Sequence, residues 1–149
     1  MTPLKTVLLT AAVSGLTAAS PAFVLSDAAG KSWSLQAHLG RERLLIVSSP
    51  SAAYLAEVRR QDAALQVRDL RVVALLPPGD ARFDGPRTLM LTLLADPGGS
   101  VAAQYGPAAL IGKDTGVKAR YAAPPALGAV LGTIDSMPMR QQERRERGR

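Results

Sequence analysis

The sequence predicts a single α/β domain with a mixed central sheet and flanking helices. Two observations carry this prediction. Apolar runs typical of buried strands alternate with helical stretches, and such alternation implies parallel strands joined by right-handed crossovers. The chain then finishes with a hairpin and a helix, which adds an antiparallel edge to the sheet. Its 149 residues are enough for one domain with a core of its own.

The first predicted elements are a hairpin and a buried strand. Residues 23–25 and 32–35 form the hairpin, because Asp and Gly residues supply a turn between them and Trp33 and Leu35 alternate with polar neighbours. Residues 44–48 are a continuous apolar run, which is typical of a strand buried on both faces.

A helix is predicted to follow this strand, over residues 52–67. Pro50 stops the strand, and Ser51 is a suitable N-cap for the helix. Three apolar residues fall roughly on one face of the helix and predict its buried side. They are Leu55, Val58 and Leu65.

The middle of the chain repeats this alternation. Residues 70–76 predict a second buried strand, which a Pro-Pro-Gly-Asp turn closes, and residues 82–87 predict a surface loop. Residues 88–94 predict a third apolar strand. A short helix is predicted over 100–105, and a Gly-Pro pair ends it.

The last predicted elements are a hairpin, with strands over 108–111 and 117–121, and a helix. The helix begins after Pro125 and ends at Pro138. Its apolar stripe predicts four largely buried side chains at the i, i+3, i+4 and i+7 positions. They are Leu127, Val130, Leu131 and Ile134.

This order of elements is that of a thioredoxin-like domain. Residues 93–106 (LLADPGGSVAAQYG) resemble a strand–loop–helix segment of peroxiredoxins. Residues 110–120 (LIGKDTGVKAR) and 134–146 (IDSMPMRQQERRE) resemble the bacterial family known as domain of unknown function 4174. Its members are short exported proteins with a thioredoxin-like fold and no redox cysteine pair, and related domains occur in secreted sushi-repeat proteins. The resemblance implies the same fold and an exported, redox-inactive protein.

One candidate site lies where a thiol oxidoreductase would carry its reactive cysteine, between the strand at 44–48 and the next helix. Ser49, Pro50 and Ser51 occupy this place, and the chain contains no cysteine. Since the thiolate is the nucleophile in thiol chemistry, we expect no thiol oxidoreductase or peroxidase activity. The three residues either contribute to a binding site or only end the strand and cap the helix.

A second candidate binding site is the pair Lys113 and Asp114, which the family resemblance singles out. From the residues alone, Asp114 and Gly116 suit a tight hairpin turn, with Lys113 solvated. Both interpretations of this pair, as a turn and as a binding site, stay open on the sequence.

The leading functional hypothesis is a binding or interaction module of the cell envelope; the alternative is a cysteine-independent enzyme on the same scaffold. A serine nucleophile needs a nearby base, and His38 is the only histidine. The enzyme hypothesis therefore requires Ser49 or Ser51, His38 and Lys113 to converge in one pocket. We expect no catalytic residue, cofactor or metal site, since a lone histidine without cysteine does not make a transition-metal site.

Residues 1–22 have the order of a secretory signal peptide: a charged start, an apolar middle and small residues at the exit. Cleavage after Ala19 and cleavage after Ala22 both fit, and an uncleaved membrane anchor is the alternative. We expect removal of the segment, which predicts a periplasmic or secreted protein that does not span the membrane. The folded domain is predicted over 23–139.

Residues 140–149 are predicted to form a basic tail with five arginines and two glutamates. The tail either extends a helix beyond Pro138 or stays disordered, and solvated charges are the simplest expectation. Loose attraction to anionic envelope surfaces is a further alternative. Nucleic acid is not an expected partner, because binding it requires a broader basic face with aromatic residues. The partner is expected to be an unknown protein or envelope component.

Overall fold

The computed structural model describes residues 20–148, so residues 1–19 of the predicted signal segment lie outside it. The strands are β1 (Val24–Asp27), β2 (Ser32–Ser34), β3 (Arg43–Ser48), β4 (Leu70–Leu76), β5 (Leu91–Ala95), β6 (Ala108–Ile111) and β7 (Val117–Tyr121). The helices are α1 (Ala52–Arg60), α2 (Asp62–Val67), α3 (Ser100–Tyr105), α4 (Leu127–Asp135) and α5 (Pro138–Arg147).

All seven strands join one mixed sheet in the order β2-β1-β5-β4-β3-β6-β7. The three central strands β5, β4 and β3 are parallel, whereas β1 and β6 flank them in antiparallel pairing. The predicted α/β class and the mixed sheet are confirmed. The central strands read as apolar runs because both of their faces are covered.

Successive side chains of the central strands face opposite sides of the sheet and contribute to two separate cores. On β3, Leu44 and Ile46 face a core that contains Phe23, Trp33 and α3 residue Tyr105. Leu45 and Val47 face the opposite core, which includes residues of α1, α2 and α4. The period of two along each strand therefore separates a core that contains three aromatic residues from a core whose buried members are all aliphatic side chains or methionine.

The apolar stripe of α4 is confirmed for three of its four residues. Leu127, Val130 and Ile134 are buried, whereas Leu131 is only partly buried at the edge of the same core. The helix packs on the sheet as expected, but its Leu131 side chain lies at the margin of the contact.

Several boundaries differ from the sequence prediction, and two of them have a common cause. The helix predicted over 52–67 is two helices that meet at Gln61. The carboxylate of Asp62, at the start of α2, accepts a hydrogen bond from the backbone N–H of Met90 at 2.9 Å. The same Met90 precedes β5, so this strand begins at Leu91 rather than at 88. A tertiary contact of this kind leaves no trace in local periodicity.

The basic C-terminal segment is helical from Pro138 to Arg147. Of the alternatives for this segment, the structure shows a helix beyond Pro138. Arg140 is buried, and its neighbour Glu143 is 13% exposed, so part of α5 packs against the domain. No helix within residues 20–148 is long and apolar enough to cross a membrane.

Candidate functional site

The two candidate sites lie at opposite ends of β3. Ser49 follows the carboxyl end of this strand, whereas Arg43 begins its amino end. Strand β6 runs antiparallel to β3 with Ile111 opposite Leu44, so Lys113 lies beyond the amino end. Six residues of strand separate the two ends by about 20 Å. The structure therefore does not bring Ser49 and Lys113 into one site.

Ser49 is an exposed residue of the loop that joins β3 to α1. Its backbone has a positive φ of 47°, and its N–H donates to the carbonyl of Leu75 at 2.8 Å. It lines a cavity of about 260 Å³ together with Asp96 and Gly99. A non-glycine residue in the left-handed region is strained, so the surrounding contacts hold this loop in place.

The other polar groups of this loop are engaged in structural hydrogen bonds. The Ser51 hydroxyl accepts from the N–H of Tyr54 at 3.0 Å, which confirms its predicted role as N-cap of α1. The Pro50 carbonyl accepts from Arg82 Nη1 at 2.8 Å. Pro50 and Ser51 are therefore used in ending the strand and starting the helix.

Asp96 is the acidic residue of this cavity, and it is 4% exposed. Its carboxylate accepts from the N–H groups of Val101 at 3.0 Å and Ala102 at 2.9 Å, at the start of α3. A carboxylate bound by two backbone donors caps the helix. Asp96 therefore has a local structural role, and no histidine lines the cavity.

His38 lies elsewhere, beside the aromatic core. Its ring stacks on Trp33 with centroids 4.4 Å apart, and Nδ1 lies 2.6 Å from Glu42 Oε2. It borders a separate cavity of about 250 Å³ that Arg71 also lines. His38, Ser49 and Lys113 therefore line three different cavities, and the convergence that the enzyme hypothesis requires does not occur.

Lys113 is the centre of an ion cluster at the amino ends of β3 and β4. Its Nζ lies 2.8 Å from Asp69 Oδ2 and 2.6 Å from Glu143 Oε2, and its side chain is 12% exposed. The expectation that Lys113 is solvated is therefore wrong. The β6–β7 turn places the ammonium beside Asp69, and α5 adds the second carboxylate.

Arg43 completes this cluster from the strand itself. Its guanidinium is 1% exposed, and it donates to the Arg68 carbonyl at 2.8 Å and to the two oxygens of Glu143 at 3.2 and 3.4 Å. Arg147 of α5 reaches Asp69 Oδ2 at 3.3 Å. We call Arg43, Asp69, Lys113, Glu143 and Arg147 the amino-end cluster.

The cluster lowers the pKa of both of its carboxyl groups. Burial raises the pKa of Glu143, but hydrogen bonds from Lys113 and Arg43 outweigh burial and hold the pKa below its usual value. Burial likewise opposes ionisation of Asp69, whose pKa is held low by Lys113 and Arg147. Both groups are therefore carboxylates at neutral pH.

Asp114 keeps the role of a turn residue. Its Oδ1 accepts from the N–H of Gly116 at 3.1 Å, and its Oδ2 pairs with Lys118 across the hairpin. Gly112 allows this approach, because a Cβ atom there would lie 2.7 Å from Lys118 Cε. The hairpin turn thus directs Lys113 toward Asp69 and Glu143, and it places Lys118 beside Asp114.

A cleft of about 340 Å³ opens next to the amino-end cluster. Met137, Pro138 and Met139 form an apolar wall, and the charged lining consists of three cations, Arg43, Lys113 and Lys118, and one carboxylate, Asp114, which pairs with Lys118. Met139 is 51% exposed, although most methionine side chains in a small domain are buried. We call this cavity the methionine cleft.

Sequence reasoning did not identify Arg43, Asp69, Glu143 or Met139 as parts of a site. One signal was present: Arg43 precedes a fully apolar run, and a charge at a buried strand position needs a partner. The partner Glu143 lies 100 residues away, so the pairing itself was not readable from the sequence. Within residues 20–148, no group of three or more side chains could hold a metal ion.

Solved structures that resemble this chain share its fold at low sequence identity. The peroxidoxin BcpB from Mycobacterium tuberculosis has a TM-score of 0.69 and 19% identity, over 81% of this chain and 96% of that chain. A peroxiredoxin 6 variant from Arenicola marina has a TM-score of 0.67 and 18% identity, over 87% and 76%. The pneumococcal exposed lipoprotein thioredoxin Etrx1 from Streptococcus pneumoniae has a TM-score of 0.59 and 21% identity, over 78% and 100%.

These likenesses show a thioredoxin-like fold, as the element order predicts. No curated protein matches the chain in sequence. The family described as domain of unknown function (DUF4174) matches residues 34–143, which is more than half of the chain and ends at Glu143 of the amino-end cluster. The protein therefore belongs to the DUF4174 family, and it is a thioredoxin-like member without cysteine.

Proposed function

We propose that the protein is an exported, redox-inactive binding module, and that the methionine cleft is its binding surface. The single observation that carries this proposal is the exposed Met139 on an apolar wall beside Lys113 and Lys118. Exposed methionines adapt their shape to different apolar groups and are common on binding surfaces. The partner suited to this surface presents an apolar group next to an acidic one.

The Ser49 loop offers weaker support for binding, because its Pro50 carbonyl and Ser51 hydroxyl already hold the local fold together. The loop also carries no base, so a serine nucleophile there has nothing to activate it. These two features favour a binding module over the alternative of a cysteine-independent enzyme.

Export is supported by the signal-like order of residues 1–22 and by the solved pneumococcal neighbour, which is an exposed lipoprotein. We therefore place the protein in the periplasm or outside the cell, with an envelope component or an envelope protein as the partner. Cell fractionation of the tagged full-length chain tests this part, and a cytoplasmic full-length product would contradict it.

Binding at the cleft can be measured with a probe of the proposed chemistry, the dye 1-anilinonaphthalene-8-sulfonate. It joins an apolar ring system to an anionic group, and its fluorescence rises in apolar sites. We expect saturable binding to the folded wild-type protein and at least tenfold weaker binding to Met139→Glu. The matched control is Leu89→Glu, because Leu89 is 67% exposed and does not line the methionine cleft.

The uncharged analogue N-phenyl-1-naphthylamine separates the apolar contribution from the ionic one. We expect wild-type protein to bind the sulfonate more tightly than the uncharged analogue. We expect Lys118→Gln to lose this difference in affinity and to bind the analogue as tightly as wild-type protein does. Equal losses in Met139→Glu and Leu89→Glu, or no saturable binding by folded wild-type protein, would contradict the assignment of the cleft.

A further inference from the structure

We infer that the mature protein begins at Ser20, so that the signal segment is removed by cleavage of the Ala19–Ser20 bond. This inference rests on the proposed export and selects between the two cleavage positions that the sequence allows. The argument comes from what residues 20–22 do in the fold.

Tyr105 gives the first contact. Its side chain is fully buried in the aromatic core, and its hydroxyl donates to the carbonyl of Pro21 at 2.5 Å. Burial raises the pKa of this hydroxyl to about 12, so it is a neutral donor at any physiological pH. This hydrogen bond stabilises the folded state, and its exchange for a bond to water would lower the stability modestly. Cleavage after Ala22 would remove this acceptor.

Ser20 gives a second, independent contact. Its hydroxyl donates to the carbonyl of Thr115 at 2.8 Å, in the turn between β6 and β7. Thr115 has a positive φ of 73°, which is an uncommon conformation for a residue with a branched side chain. The Ser20 hydroxyl therefore ties the start of the domain to a strained turn 95 residues away.

Phe23 indicates that the three residues before it, 20–22, belong to the domain. It is 8% exposed, and its ring packs against Trp33 and Tyr105 with centroid distances of 5.8 and 5.9 Å. A start at Phe23 would attach a charged ammonium group directly to this aromatic core residue. A start at Ser20 keeps the new charge three residues away, on a residue that is only partly buried.

Both positions satisfy the need of a signal peptidase for small residues. Cleavage after Ala19 uses Thr17 and Ala19, and cleavage after Ala22 uses Ser20 and Ala22. The small-residue rule therefore does not distinguish the two positions, and we base the assignment on the contacts that residues 20–22 make in the folded domain. Residues 20–22 make two hydrogen bonds with the body of the domain, which is the behaviour of a mature segment.

The first experiment is intact-mass analysis with N-terminal sequencing of the full-length chain after expression in a Gram-negative host. We expect a product that begins at Ser20. A product that begins at Phe23 would overturn this inference and leave the proposed export intact. A product that keeps Met1 would overturn both.

The second experiment tests, without export, whether residues 20–22 stabilise the folded domain. Chains that begin at Ser20 and at Phe23 are released from a cleavable tag, each with Tyr105 and with Tyr105→Phe, and their melting temperatures are compared. We expect the Ser20 form to melt several degrees higher. We also expect Tyr105→Phe to lower the melting temperature of the Ser20 form and to leave the Phe23 form almost unchanged. Equal melting of the two Tyr105 forms would overturn the inference.

Discussion

Lys113 and Glu143 form an ion pair with Nζ and Oε2 2.6 Å apart, and this pair fastens α5 to the β6–β7 turn. The two residues belong to the two stretches that carry the family resemblance, 110–120 and 134–146. This ion pair therefore joins the two stretches in the fold. Because Arg43 binds the same carboxylate, Glu143 is shared by the buried Arg43 and the mostly buried Lys113.

Removal of the Glu143 carboxylate is expected to destabilise the protein strongly. Glu143→Ala leaves Arg43 and Lys113 with one fewer counter-charge, and breaking a buried ion pair from one side costs about 3–5 kcal/mol. Urea unfolding of the purified protein measures the change. Glu146→Ala is the control on the same helix, since Glu146 is exposed and is expected to change stability little. Equal losses in the two variants would contradict a docked α5.

The same carboxylate predicts how stability depends on pH. The folded-state pKa of Glu143 lies below its usual value of 4.5, so its contribution is fully present above that pH. The contribution is lost as the pH falls from 4.5 through the lowered pKa, because the unfolded chain takes up this proton at a higher pH than the folded protein does. We expect the unfolding free energy of Glu143→Gln to vary less between pH 5 and pH 3 than that of wild-type protein. An unchanged pH profile in this variant would contradict the prediction.

The parts of the fold that sequence reasoning found are those with a strong local pattern. Residues 44–48 and 70–76 are apolar runs, and each is a central strand. The docked helix α5 has no such pattern, because its only buried side chain is Arg140. Its position depends on pairs such as Glu143 with Arg43, which are distant along the chain. Charge pairs of this kind follow no periodic pattern, so the sequence does not indicate which charged residues will pair.

The candidate site likewise has features that the sequence predicts and features that it does not. Ser51 was recognisable as a helix cap, because capping depends on residues three positions apart. The methionine cleft was not recognisable, because it forms only where Met139 meets Lys118 from a separate hairpin. Lys113 was visible as a candidate, but its burial depends on Asp69 and Glu143 together.

Core truncation in α4 is expected to depend on position. Ile134 is fully buried, so Ile134→Ala should cost about 2–5 kcal/mol, the range for a large-to-small core change. The sequence predicts the same range for Leu131→Ala, but partial burial of Leu131 lowers our expectation to roughly half of the cost at Ile134. Replacing Arg144 and Arg145 should change stability by roughly 0–1 kcal/mol each, because exposed charges contribute little. Thermal unfolding of the three variants measures these losses of stability. Equal melting temperatures would contradict the packing of α4.

No thiol-dependent turnover is expected from the purified mature chain. The fold resembles peroxiredoxins and a thioredoxin, but the sequence contains no cysteine to form a thiolate. Insulin reduction with dithiothreitol and peroxide consumption should both match a protein-free blank. Turnover above that blank, by protein shown to be free of contaminating reductases, would contradict the redox-inactive assignment.

Substitutions of Ser49 test whether its strained loop has only a structural role or also takes part in binding. Its φ of 47° costs a non-glycine residue about 1–2 kcal/mol, whereas glycine adopts this conformation freely. Ser49→Gly should therefore raise stability slightly, with the gain reduced by the greater entropy of glycine in the unfolded chain.

Ser49→Val should lower stability, because a β-branched side chain is poorly tolerated at positive φ. Binding of 1-anilinonaphthalene-8-sulfonate should stay unchanged in both variants, since the methionine cleft lies at the other end of β3. Chemical unfolding and dye titration measure the two effects separately. A loss of stability in Ser49→Gly would mean that the serine side chain makes a stabilising contact, and a loss of dye binding would place the binding surface at this loop.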